Sequence, residues 1–479
     1  MKVGARFARC GLGPFILGAV LSFGIVTGTS GQTTQPPAQT SAATGFFRVQ
    51  NDNGVWWFID PKGRRFISKG VTTVQYAQDN IQGTDRSPYR ETNDAKYGSV
   101  ANWRKAIAPR LMEWGINTLG SWADAELATV EVNGKYLAYA PNLNLGALFV
   151  GIPRETWRKG QFPNVFDPAF ETFARQKAQE QCAPLRDDPR ILGWFTDNEL
   201  RWAADWRNKN ELMTLALDLP ASSPAKRVAV DLLRKRHGDV AKLNAAWKTD
   251  VKSWDELLEA NDFEQPVDTL EFRSTGLGDE EARAFVADSD AFLALVAEQY
   301  FRITTEAIKA ADPNHLIFGP RFAYVPAQPV VTAAAKYLNA ISFNSYSLDP
   351  SGTIDQYSAF HLPAIIGEFS FVAEDSGLPS KSEGNLSLHV KTQQGRALAF
   401  KNYVTAGLKH PNLIGYHWFE HVDQPAEGRF DGQNANYGLA SVKDQPYLPL
   451  VEMMAEVNAD AENIHATAPY PWYPAITPP

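Results

Sequence analysis

Short apolar runs, each cut off by a polar or acidic residue, recur along this chain and are separated by stretches with helical spacing. Val55–Ile59 and Arg65–Ser68 flank Asp60-Pro61-Lys62-Gly63, a turn signature, and predict a β-hairpin. Its second arm runs into Gly70–Thr73, read as the first core strand. Further strands are predicted at Ile116–Gly120, at Tyr139–Leu145 and around Gly193. The remaining four are Leu316–Gly319, Ala340–Asn344, Ala364–Gly367 and Leu413–Trp418. Between them, Trp103–Trp114 (stopped by Gly115), Phe170–Leu185 and Ala282–Ala311 carry helical patterns. Eight short strands alternating with helical stretches give the count of an α/β (β/α)8 TIM barrel with an N-terminal β-hairpin.

The stretch from Arg201 to about Gly278 is too long for a simple loop. It holds two amphipathic segments, Ala225–Arg236 and Val240–Trp247, joined at His237-Gly238. It reads as a helical insertion after strand four, about residues 201–280, on the active-site side. Residues 1–31 read as a signal peptide, with Lys2, Arg6 and Arg9 ahead of apolar Phe15–Val26 and small residues at Thr27–Gly31. Residues 32–44 are rich in Gln, Thr, Pro and Ala and read as a disordered linker. Order is expected from near Phe46, within a catalytic barrel spanning 45–479. No second apolar stretch is long enough to span a bilayer, so the chain is expected to be exported, secreted or periplasmic, rather than anchored. Pro469, Pro471, Pro474, Pro478 and Pro479 cannot continue a helix, and this tail is expected to wrap the surface.

With 479 residues and 44% hydrophobic content the chain can bury a large core. A net charge of −8 without a dense Lys/Arg cluster argues against nucleic acid or an anionic membrane as partner. The 13 Trp are many, and flat indole faces suit the C–H patches of sugar rings, although each alone also reads as a core residue. Cys10 falls in the signal, which leaves Cys182 alone in the mature chain, a core thiol with no disulfide to make.

Two glutamates carry the chemistry. Glu199 ends Ile191-Leu192-Gly193-Trp194-Phe195-Thr196-Asp197-Asn198-Glu199, and Glu368 ends Ala364-Ile365-Ile366-Gly367-Glu368. An apolar run that stops at a carboxylate reads as a buried parallel strand delivering an acid to its C-terminal edge. Two such acids at one barrel mouth suit glycoside hydrolysis with retention, which needs two carboxyls roughly 5–5.5 Å apart. The plain alternative, a helix cap or a surface ion pair, fits one such Glu far better than two in the same register.

Asn-Glu after strand four and Glu after strand seven resemble clan A of the retaining glycoside hydrolases, all (β/α)8 barrels. Within it the chain most resembles the β-agarases of glycoside hydrolase family 50, and more distantly the family 42 β-galactosidases. The resemblance covers most of residues 46–465. It is carried by Trp57–Gly63 with Ser68–Val71, by Gly193–Glu199, Leu243–Trp247, Ser342–Tyr346 and Ile366–Phe369, and by His417–Glu420 with Asp423–Pro425. It implies Glu199 as acid/base, Glu368 as nucleophile and Asn198 as a contact to the sugar 2-hydroxyl. It further implies that Tyr346 hydrogen-bonds the nucleophile and that Trp418 floors the sugar site. Arg321, Asn344 and His417 sit at strand ends facing the same mouth and join the substrate-binding candidates. The implied substrate is a galactose-containing polysaccharide or its oligosaccharides. Agarases of this kind usually carry an additional N-terminal β domain and this chain is shorter, so specificity and endo or exo action stay open. The alternatives are a clan A β-glycosidase of other specificity, such as a β-galactosidase or β-glucanase, and a non-catalytic carbohydrate-binding barrel.

His417-Trp418-Phe419-Glu420-His421 matches H-x-x-E-H, the inverted zinc-protease signature, which needs a helix. Its position after Leu413-Ile414-Gly415-Tyr416 and before Pro425 favours strand then loop instead. No phosphate-binding or dinucleotide-binding glycine motif follows a strand, and neither metal nor cofactor is expected.

Overall fold

In a computed structural model, residues 41–380 and 388–468 are described. The expected signal peptide, most of the linker and the proline-rich tail lie outside these residues. Ser41 already donates its amide to the Gly63 carbonyl at 2.7 Å, ahead of the expected start near Phe46.

The strands are β1 (Arg48–Asp52), β2 (Val55–Ile59), β3 (Arg65–Phe66), β4 (Ser68–Val71), β5 (Thr118–Leu119), β6 (Ala138–Tyr139) and β7 (Gly193–Phe195). They continue with β8 (Leu316–Gly319), β9 (Ile341–Asn344), β10 (Ala364–Phe369), β11 (Val372–Ala373), β12 (His389–Val390) and β13 (Leu413–Trp418). The predicted hairpin is β2 with β3, and β1 adds a third antiparallel strand that its polar sequence Arg-Val-Gln-Asn-Asp did not signal. The other large sheet has the order β6-β5-β4-β13-β10-β9, every adjacent pair parallel. β7 and β8 form a separate parallel pair.

Both edges of that pair meet the six-stranded sheet through backbone hydrogen bonds. On one side Leu192 N–H donates to Tyr139 at 2.8 Å and Phe195 N–H to Pro141 at 2.9 Å. On the other, Asn339 N–H donates to Ile317 at 2.9 Å and Phe322 N–H to Ser342 at 3.0 Å. The architecture is therefore mixed α/β built on parallel strands, which need covered faces and so read as near-continuous apolar runs. β10 and β13 are buried at every position. An apolar cluster joins Phe58 of the hairpin to Leu192, Phe195, Phe318, Ile365 and Ile414 of the parallel strands.

The helices start where the sequence supplies caps. Asp167 accepts from the Ala169 amide ahead of Pro168–Gln181, with proline at the first turn. Asp279 accepts from the Ala282 amide ahead of Glu280–Ala311, whose first turn carries Glu280 and Glu281. That helix buries a stripe including Phe285, Phe292, Val296, Phe301 and Ile308 against Pro168–Gln181 and Gln328–Tyr337. Each such side chain contributes roughly 1.5–3 kcal/mol when fully buried.

The segment between β7 and β8 contains helices Leu212–Leu217, Pro224–His237, Val240–Trp247, Trp254–Glu259 and Leu270–Thr275. It is fastened to the long helix at Asp288, which accepts from Arg236, from Trp247 Nε1 at 2.9 Å, and meets His237 Nε2 at 2.8 Å. Among the described residues, no helix is long and apolar enough to cross a membrane.

Candidate active site

Parallel strands deliver their C-terminal residues to one end, and here the chain turns sharply as it leaves them. Thr73, Trp122, Asn144, Glu199 and Arg321 follow β4, β5, β6, β7 and β8 and all adopt positive φ, between 47° and 62°. Left-handed backbone is costly for residues with a Cβ, above all for β-branched Thr73, and such strain gathers at functional sites.

After β7, Asp197 is fully buried and locks the exit of the strand. It accepts from the amides of Gly146 at 2.8 Å and Ala147 at 3.0 Å, and from Tyr300 at 2.6 Å. Burial lifts its pKa to about 6, against the pull of those donors. Two residues on, the Glu199 amide donates to the carbonyls of Pro320 and Arg321, both at 3.1 Å. Its carboxylate accepts from Asn344 Nδ2 at 2.8 Å on Oε1 and from Trp157 Nε1 at 2.7 Å on Oε2.

Glu368, on β10, is 4% exposed. Oε2 accepts from the Tyr346 hydroxyl at 2.7 Å, and Oε1 accepts from Arg321 Nη2. Arg321 is wholly buried, with its guanidinium over the rings of Trp122 at 4.7 Å and Phe195 at 5.5 Å. Gly367 makes this approach possible. A Cβ there would stand 2.8 Å from Arg321 Nε and 2.9 Å from Asn344 Oδ1, too close for either to stay. Burial pushes the Glu368 pKa up to about 7; Arg321 opposes the rise, the charge on Glu199 adds to it, and the Tyr346 hydrogen bond opposes it again.

Both glutamates face one cavity of about 510 Å³. Asn198 and Tyr346 also line it, and Asn198 Oδ1 accepts from Asn344 Nδ2 at 3.3 Å. Asn344 and Arg321 lie behind the wall and hold the two carboxylates rather than facing the space. His417 and Trp418 lie elsewhere. His417 points into the strand interior, with Nε2 2.9 Å from Ser68 Oγ, in a place that Gly70 leaves open. Trp418 points the other way, donating to the Tyr437 carbonyl at 2.8 Å and packing on Phe369, Phe400 and Arg396. The aromatic that reaches the cavity is the next residue, Phe419. β13 ends at Trp418, so the H-x-x-E-H residues are strand then loop, and the buried His421 ring sits beside Tyr89.

Sequence reasoning also missed Trp157 and Trp206, which line the cavity from the short helix Pro153–Arg158 and from the segment after β7. It missed Arg429 as well, buried among Asp79, Glu420 and Asp431 in the same wall. Burial holds Glu420 well above the usual carboxylate range, and the neighbouring Asp79 reinforces the shift.

No protein-family model matches the chain. It is 27% identical to β-agarase B of Vibrio sp. (strain JT0107), across 87% of this chain and 48% of that protein. It is 30% identical to β-agarase A of the same organism, across 86% of this chain and 45% of that protein. Among solved structures it resembles the agarase AgWH50C, with 25% identity and a TM-score of 0.73, covering 90% of this chain and 66% of the other. The chain thus spans just under half the length of the curated relatives it matches.

Proposed function

We propose that this chain is a secreted or periplasmic retaining β-glycoside hydrolase of the β-agarase type, with Glu199 as acid/base and Glu368 as nucleophile. The observation that carries the reading is the pairing of two differently held carboxylates on one cavity. Glu368 accepts from the Arg321 guanidinium and the Tyr346 hydroxyl, while Glu199 accepts from Asn344 Nδ2 and Trp157 Nε1. The similarity to two β-agarases and to a solved agarase supports the substrate class, a galactose-containing polysaccharide. The hydrogen bonds joining both edges of the β7–β8 pair to β6 and β9 support a closed (β/α)8 barrel with the helical segment inserted after its fourth strand.

In the first step the Glu368 carboxylate attacks the anomeric carbon while Glu199 gives its proton to the departing glycosidic oxygen. A glycosyl ester on Glu368 results. In the second step Glu199, now a carboxylate, takes a proton from water, the hydroxide attacks the same carbon, and Glu368 leaves. Asn198, beside Glu199, is in position to meet the sugar hydroxyl next to the reacting centre, and Phe419 supplies an apolar surface for the ring.

The test is product analysis by mass spectrometry with agarose, other β-galactans and β-glucans, using Glu368→Gln as blank. Oligosaccharides from agarose that vanish in the blank are expected. Products from a different glycan would reassign the substrate, and full activity in Glu368→Gln would remove the nucleophile.

A further inference from the structure

The segment just after Glu199 carries an aromatic that the two-carboxylate chemistry does not use. Trp206 is 64% exposed, the only exposed tryptophan among the described residues. Other large apolar side chains, such as Leu277 at 65% and Leu348 at 59%, are as exposed but do not line the cavity, whereas Trp206 does. Scattered exposed apolar residues need no explanation, but an indole built into a cavity wall does.

Its surroundings are rigid. Trp206 and Arg207 are the two central residues of a tight turn, in which Asp205 and Asn208 exchange backbone hydrogen bonds of 3.0 and 3.2 Å. The Asp205 carboxylate accepts from the Arg207 amide at 2.8 Å and from its guanidinium at 2.7 Å. The same guanidinium donates to the Glu199 carbonyl at 2.7 Å and lies 4.8 Å from the centre of the Trp206 ring. Tyr324 meets the indole edge-on at 6.3 Å. An ion pair buried on both sides therefore ties the turn that carries the indole to the backbone of Glu199.

We propose that Trp206 is a stacking platform for an outer sugar ring of the polysaccharide, on the side of the departing chain. The side follows from the tie to Glu199, which in the reading above faces the leaving oxygen. The inference rests on that reading for its ligand, a β-linked galactan chain. A flat indole on a held turn gives stacking area, and it adds affinity only for oligosaccharides long enough to reach it.

The experiment uses the full chain carrying Glu368→Gln, with and without Trp206→Ala or Trp206→Phe. Calorimetry follows agarose-derived oligosaccharides from disaccharide to octasaccharide. Loss of the platform is expected to weaken the longest ligands by about tenfold and to leave the disaccharide unchanged, with Trp206→Phe in between. In the otherwise active enzyme, oligosaccharides labelled at the reducing end are expected to give shorter labelled products once Trp206 is alanine. Equal binding at every length and an unchanged label pattern would overturn the platform while leaving the hydrolase reading intact. A Glu368→Gln parent that binds none of the glycans would overturn both.

Discussion

The Arg321 guanidinium donates to one carboxylate oxygen of Glu368 and, at 3.2 Å, to the carbonyl of Gly367 beside it, while itself having no solvent exposure. This is the chief influence holding the Glu368 pKa down against burial, which has already raised it to about 7. As the proposed nucleophile Glu368 must be ionised to attack, so activity is expected to fall as pH drops through its pKa. Removing the cation raises that pKa further, and in Arg321→Met the acid limb of kcat/KM is expected to move to higher pH. At pH 7 the loss is expected to be tenfold or more, about 1.4 kcal/mol. Arg321→Lys keeps a charge and is expected to fall between. A limb that stays in place with intact folding would make Arg321 a purely structural residue.

Tyr346→Phe keeps the ring and removes the hydroxyl that donates to Glu368 Oε2. The expected result is a fall in kcat with little change in KM, together with an upward shift of the same acid limb. Both Arg321 and Tyr346 act through one carboxylate, so the double variant should lose less than the product of the single losses. Full additivity, read from a double-mutant cycle, would place their effects on separate groups.

The burial that raises the Glu368 pKa also makes the fold less stable at higher pH. A carboxyl whose folded pKa lies above its unfolded value costs nothing below the unfolded pKa, and costs its full amount above the folded one. Between about 4.5 and about 7 the penalty grows, reaching about 3 kcal/mol above that window. Glu368→Gln is therefore expected to unfold at a higher temperature than the parent at pH 8 and at the same temperature near pH 4.5. Calorimetric scans at the two values would check it, and a gap of equal size at both would show that charge is not the cause.

Much of this site was legible because strands ending in a carboxylate leave a plain mark. The run Ile191–Phe195, four residues ahead of Glu199, and the run Ala364–Gly367, directly ahead of Glu368, are apolar, as parallel strands covered on both faces must be. The direction of side chains along β13 was harder to read. Its side chains turn His417 inward, Trp418 outward and Phe419 to the cavity, an alternation that a run of neighbouring aromatics does not reveal. Trp157, Trp206 and Arg429 come from a short helix and from loops, where no periodicity reports what a side chain faces. β1 escaped notice for a related reason. Its five residues are mostly polar and gain their place only by pairing with β2.

Asp444, which does not line the cavity, offers a test of the opposite sign. It lies in the loop between β13 and the final helix Leu448–Ala466, and its side chain is wholly buried. Lys96 and Tyr97 donate to Oδ2, both at 2.6 Å, and Arg110 donates to Oδ1 at 2.5 Å. One carboxylate thus staples the loop to helices Pro88–Tyr97 and Val100–Glu113. Burial alone would raise its pKa, but the donors from Arg110, Lys96 and Tyr97 outweigh it and hold the group well below the usual carboxylate range. Such a group adds stability that is complete above the unfolded pKa and is lost as pH falls toward the folded one. Asp444 sits at φ 54°, a conformation asparagine also tolerates, so Asp444→Asn removes the charge without straining the backbone. It leaves the mostly buried Arg110 uncompensated, and about 3 kcal/mol of stability is expected to go at neutral pH. Denaturant unfolding should find the gap between variant and parent wide at pH 7 and narrowing below about pH 4. A gap that stays constant into strong acid would mean that shape, not charge, makes the staple.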